Sequence, residues 1–201
     1  MKRLICLALI LSLGLVACKT TQTTTTSVEK GNTDKAAPKT ELVVGTETPG
    51  TLKFFAKNNR YSAEGGFEKW HFTKVNVPNQ QSKDATGLTA SLVVETTSVT
   101  EKAEGLQKHL LQDDFLAAEK NPTATVDIKD VTKVEGNNYK GIAVVKIKGM
   151  TGEYPVNFEL TIEKAWHVKG EVTILRKTFG LGEGNENIEN EVKVTFDTDL
   201  K

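Results

Sequence analysis

The chain has 201 residues, 38% of them hydrophobic and 26% charged, enough for one domain with a real core. Its 26 basic side chains are matched by 26 acidic ones, so it lacks the excess positive charge that nucleic-acid binding needs. That balance speaks against nucleic acid as a partner.

Met1-Lys2-Arg3 is followed by LICLALILSLGLV, a basic tip and then a short apolar run. This is the pattern of an export signal, and the run falls short of the ~20 apolar residues that span a bilayer. Leu15-Val16-Ala17-Cys18 resembles the bacterial lipobox, whose cysteine is acylated before cleavage. Residues 1–17 are therefore expected to be a signal peptide and Cys18 the lipidation site. Pairing of Cys18 with Cys6 is the alternative, but Cys6 would leave with the signal. One acyl chain holds a protein only marginally at a membrane. Lipoproteins of this kind resemble the solution, with a diacylglycerol on the thiol and usually a third chain on the new amine.

Lys19 begins a stretch rich in Thr, Ser, Lys, Glu and Gly that has almost no large apolar residues. Such a stretch cannot offset its ordering entropy by burial, so residues 18–45 are expected to form a lipidated, disordered tether with a reach of roughly 30 Å. Losing Lys2 and Arg3 with the signal leaves two fewer basic than acidic side chains, so electrostatics will not pin the domain to an anionic surface.

From residue 46 the pattern changes to period two. TLKFFAK (51–57), GFEKWHFTKVNV (66–77), LTASLVVET (88–96), TATVDIKDV (123–131), YKGIAVVKIKG (139–149), YPVNFELTI (154–162), AWHVKGEVTILR (165–176) and NEVKVTF (190–196) read as eight strands, β-branched or aromatic and bounded by Gly, Pro and Asn. Val156, Phe158, Leu160 and Ile162 alternate with Asn157, Glu159, Thr161 and Glu163, which gives one dry and one wet face. Between strands, residues 98–122 place Leu106, His109 and Leu110 at helical spacing and offer Asp113 or Asp114 as a cap before FLAAEK. One or two short helices are expected there, ended by Asn121-Pro122, with Leu106, Leu110 and Phe115 laid against the sheet. The fold class is thus all-β: an eight-stranded antiparallel, lipocalin-like barrel over 46–201 with one short helical insert. Closing it removes the sheet edges, and its interior can be filled or hold one small ligand.

Several short motifs recur in a known order: Gly66-Phe67 then Trp70, Ser98-Val99-Thr100, His109-Leu110, Asp114-Phe115 and Pro122, Tyr139 through Gly149, Arg176-Lys177-Thr178-Phe179-Gly180-Leu181, and Ile188 to Val192. Together they resemble the YceI-like family, lipocalin-like periplasmic barrels that bind polyisoprenoid chains. The chain departs from the family at Leu116, Asn121, Thr178 and Ala143, positions that bear on cavity shape more than on fold.

Nothing in the sequence reads as an enzyme. His71, His109 and His167 sit in separate elements without HxH or HxxxH spacing, so no metal is expected, and no nucleotide, GxSxG or other cofactor motif is present. Gly180 to Asn187 lacks the ligand spacing of a calcium loop and reads as a hairpin loop. The candidate interior positions are Phe54, Trp70, Phe72, Leu92, Val94, Val126, Ile128, Phe158, Leu160, Ile162, Ile174 and Phe196. Apolar strand residues are ordinarily core; the resemblance is what implies that these hold an isoprenoid or quinone-type chain.

Two functions stay open. One is a membrane-anchored lipid-binding protein with that chain in the barrel. The other is a surface or envelope interaction lipoprotein whose barrel is solid. Either belongs in a bacterial cell envelope, and Lys19 in place of the aspartate that resembles an inner-membrane retention signal favours the outer membrane.

Overall fold

The structure is a computed structural model that describes residues 40–41 and 50–200 apart from 79, 82 and 164. The expected signal peptide, Cys18 and most of the expected tether lie outside the described residues. Among the described residues eleven strands make one antiparallel sheet: β1 Thr40–Glu41, β2 Gly50–Asn58, β3 Ser62–Phe67, β4 Trp70–Val77, β5 Thr89–Glu95, β6 Val99–Glu101, β7 Thr123–Glu135, β8 Asn138–Ile147, β9 Met150–Ile162, β10 Trp166–Leu175 and β11 Ile188–Leu200.

Eleven and the expected eight describe the same barrel. Gly66 lies opposite Thr100 and Phe67 opposite Val99, and the same antiparallel course continues from Trp70 opposite Val94 to Asn76 opposite Thr89. β3 and β4 are therefore one bent strand, and β5 and β6 are its bent partner. The bends fall at Glu68-Lys69 and at a 3-10 turn, Thr96–Ser98. Backbone and hydroxyl groups stitch the two bends together: the Glu68 N–H donates to Ser98 O at 3.1 Å, the Lys69 N–H to Ser98 Oγ at 3.0 Å and the Glu95 N–H to Lys69 O at 2.9 Å. With each bent strand taken as one, eight strands follow chain order and the last, β11, pairs with the first, β2. The barrel is closed.

The eleventh element is β1, whose Thr40 and Glu41 pair with Val77 and Asn76 of β4. The stretch expected to be slack up to residue 45 is thus in the sheet at Thr40–Glu41. Tight turns join most strands. Lys148 and Gly149, both at positive φ (52° and 78°), make the two-residue turn between β8 and β9 whose twist suits a hairpin.

One helix forms in the insert, α1 (Glu104–Leu110), and its seven residues include none that is buried. A second helix over FLAAEK is absent because Ala117 takes a left-handed φ of 47°, which ends any right-handed run. The buried residues of the insert are Leu116, Ala117 and Ala118, while Leu106, Leu110 and Phe115 are only half-buried.

Two clusters make up the core. One gathers Val75, Val77, Ala85, Leu88, Val131, Tyr139, Leu160 and Val168 at the barrel end closed by the 78–88 loop. The other gathers Val99, Leu116, Ile147, Tyr154, Ile174 and Phe179 at the end that carries the insert.

Candidate ligand-binding cavity

The two clusters do not meet everywhere. Between them lies a cavity of about 240 Å³, lined from both and by side chains of every barrel strand. β11 supplies wall residues from Ile188 to Leu200. Its 13 residues span roughly 40 Å at ~3.3 Å each, so so small a volume is drawn out along the barrel as a narrow channel.

Ten of the twelve expected interior positions line this channel: Phe54, Trp70, Phe72, Leu92, Val94, Val126, Ile128, Phe158, Ile174 and Phe196. Leu160 and Ile162 do not. They share the inward face of β9, but Leu160 is buried inside the cluster at the 78–88 end and Ile162 packs against that cluster, where side chains already fill the interior. Phe54, Leu92, Val126, Ile128 and Phe196 point inward yet stay only partly buried, because the hollow leaves their side chains uncovered.

What opens the channel is a set of small wall residues. Ala56, Ala90, Ala124 and Ala143 line it at positions where a leucine would reach across. The alternation that identified their strands also assigns their face, so the signal for the wall was present; a small side chain simply says nothing about whether its neighbour fills the gap. Leu110, Phe115 and Leu116 of the insert and Leu181 of the β10–β11 loop complete the wall at one end. No strand periodicity reaches them.

Among the described residues, three polar side chains touch the channel: Thr96, Arg176 and Thr198. Thr96 Oγ1 donates to Asn121 O at 2.6 Å and Thr198 Oγ1 to Asp199 O at 3.2 Å. Arg176, 2% exposed, directs its whole guanidinium at backbone carbonyls. Nε donates to Glu189 O at 3.0 Å, one terminal nitrogen to Leu181 O and Gly182 O at 2.7 and 2.8 Å, and the other to Asn185 O and Ile188 O, both at 2.7 Å. All five of its donors are used. The 180–188 stretch is accordingly a hairpin loop wrapped on a buried cation. Just outside, the Glu186 carboxyl is held below its ordinary range, first by its hydrogen bond and ion pair with Lys177 and in smaller part by Arg176.

None of the three histidines lines the channel. His167 Nε2 and Nδ1 lie 3.1 and 2.9 Å from carboxylate oxygens of Asp197 and Asp199. His109 pairs with Asp114 at 3.1 Å and packs edge-on against Phe115. Among the described residues no group of three or more His, Cys, Asp or Glu side chains is placed to hold a metal ion.

A closed antiparallel barrel around an apolar channel defines a lipocalin-like protein. The chain belongs to the YceI-like family, whose domain profile matches residues 21–200. The crystal structure of Burkholderia cenocepacia BcnA is similar with a TM-score of 0.67 at 20% identity, over 75% of this chain and 96% of that one. The YceI protein of Campylobacter jejuni gives 0.54 at 17% identity, over 68% and 84%. A polyisoprenoid binding domain from Saccharophagus degradans, implicated in plant cell wall breakdown, gives 0.53 at 16% identity, over 73% and 90%. At these identities the likeness is one of fold. No curated protein matches the chain in sequence.

Proposed function

We propose that the protein binds one long apolar lipid, an isoprenoid or quinone-type chain, inside the barrel, and that it is held at a membrane of the bacterial envelope through a lipidated Cys18. The channel carries this reading. It is elongated, its wall is apolar, and its three polar side chains all donate to backbone, so it rewards a chain with no polar group along its buried length. A head group stays at the mouth. The volume lies below the roughly 300–1,000 Å³ of drug-sized pockets, which suits a slender chain better than a fused ring system. The polyisoprenoid-binding neighbour and the family support the ligand class. A solid barrel acting only through its outer surface would have no use for the hollow.

Mass spectrometry of an organic extract of the untagged protein tests the ligand, together with titration of the apolar fluorophore N-phenyl-1-naphthylamine. A co-purifying prenyl lipid and saturable binding that geranylgeraniol displaces are expected. An extract free of apolar lipid together with no saturable uptake overturns the reading in favour of a surface-interaction lipoprotein.

The anchor is tested separately. No helix among the described residues is long and apolar enough to cross a membrane. Cys18→Ser is therefore expected to move the protein from the detergent phase to the aqueous phase on phase partitioning, because the acyl chains supply the membrane affinity. Full retention in the detergent phase would rule out the lipidated cysteine.

A further inference from the structure

We infer that the insert between β6 and β7 is the door of the channel, that Lys148 is its latch, and that the Arg176-centred loop is its fixed frame. The inference rests on the lipid-binding reading and adds where and how the chain enters. The two barrel ends are closed in different ways. At one, Ala85 and Leu88 of the 78–88 loop are 0% and 3% exposed over the equally buried Val75, Val77 and Val131, and Tyr139 Oη accepts the Ala85 N–H at 3.3 Å. That end is packed shut. At the other, the cover consists of the half-buried Leu110 and Phe115 and the buried Leu116, all from a segment outside the sheet ladder, with Leu181 of the β10–β11 loop beside them.

The helical part of the insert is held by few groups, while Leu116, Ala117 and Ala118 beyond it are buried. α1 has seven residues, no buried side chain and no side-chain cap at its N-terminus, so little in the helix itself keeps it in place. Its far end is fixed: Thr96, 1% exposed, donates from Oγ1 to Asn121 O and from its backbone N–H to Pro122 O. Its near part is tied at three points. Gln107 Nε2 donates to Val99 O at 3.1 Å, Gly182 N–H to Asp114 O at 2.6 Å, and Lys148 Nζ to Asp113 O at 3.2 Å. Lys148 also reaches Gly180 O at 3.4 Å, so one ammonium bridges door and frame. The frame cannot yield easily, since Arg176 binds it through Leu181, Gly182, Asn185, Ile188 and Glu189.

Backbone strain points the same way. Lys148 sits at φ 52° in a turn position that Asn, Asp or Gly fills at less cost, and its side chain supplies the reason for a lysine. Ala117, 5% exposed, holds a left-handed φ of 47° where the near part of the insert meets its fixed end. Phe115 is the moving part of the wall: it lines the channel and packs where a side chain on Gly182 would stand.

Lys148→Met keeps the stem and removes the bridging donor. With N-phenyl-1-naphthylamine in stopped-flow, a latch predicts that uptake and release both accelerate by about threefold to tenfold, as loss of one charge-assisted hydrogen bond allows, while Kd stays constant. Unchanged rates, or a changed Kd with unchanged release, overturn the door. Hydrogen exchange makes the test independent of the ligand. Residues 104–116 should exchange faster than the Arg176 loop in the wild type, and faster again in Lys148→Met while the 78–88 loop is unaffected. Exchange in 104–116 that Lys148→Met leaves unaltered refutes the latch even if no lipid binds, and altered exchange without any probe uptake retains the moving insert while sinking the lipid-binding reading.

Discussion

Arg176 is the residue on which one end of the barrel depends. A buried guanidinium is stable here because five carbonyls turn inward to meet it, two of which, Gly182 O and Asn185 O, also accept the N–H groups of Asn185 and Ile188. The pairing explains why a run of glycine, acid and asparagine folds into a rim: Gly180, Gly182 and Gly184 all take positive φ, which lets the chain curl with its oxygens facing one point. Arg176→Met should cost about 3 kcal/mol or more in urea unfolding, since each buried polar group left unpaired costs ~1–3 kcal/mol and water can reach only part of the loop. Arg176→Lys should lie between, because an ammonium has three donors for five acceptors. A methionine variant within half a kilocalorie of wild type, about the spread of a neutral surface change, would show that the loop stands without its cation.

Among the elements, those that alternate were legible and those that bend were not. Val156 and Phe158 are buried between exposed neighbours along β9, and Leu160 between exposed Glu159 and half-buried Thr161, as their spacing says. GFEKWHFTKVNV reads as one strand and keeps one antiparallel course, but its register shifts between Phe72 and Lys74 and its bend at Glu68-Lys69 depends on Ser98, 29 residues from Lys69, whose hydroxyl and carbonyl hold the corner. No local pattern carries such a contact. The insert forms the one helix its spacing allows, but a second helix is lost for a different reason. FLAAEK has good helix formers, yet Ala117 is drawn into a left-handed conformation while Ala117 and Ala118 N–H groups donate to Gln112 O and Leu111 O, so tertiary closure outweighs propensity. Leu110 keeps helical spacing but lines the end of the channel, and it and Leu106 stay half-buried. The candidate site was legible as a face and not as a volume: strand parity found ten wall residues, and it equally pointed to Leu160 and Ile162, because parity tells which way a side chain points and not how far the opposite wall lies.

The hollow is therefore a property of the closed barrel and not of any strand within it. A packed interior is the ordinary outcome of closing eight strands, and this one stays open where alanines line its wall: Ala90, Ala124 and Ala143 on the neighbouring strands β5, β7 and β8, and Ala56 on β2. Closed packing continues on both sides of them, so the same kind of substitution has opposite effects at different points of one interior. Leu160→Trp puts extra volume into the filled cluster and should cost about 1–3 kcal/mol, with probe binding unaffected in the fraction that remains folded. Ala90→Leu puts its volume into the channel. It should leave the melting temperature equal or raised, since a leucine there covers apolar wall that now faces empty space, while N-phenyl-1-naphthylamine binding falls at least tenfold, a loss of about 1.4 kcal/mol in affinity. A melt and a titration on each variant separate the cases. If Ala90→Leu were the destabilised protein and Leu160→Trp the one that lost binding, the channel would run past Leu160, and the wall described by Phe54, Val126 and Phe196 would be core.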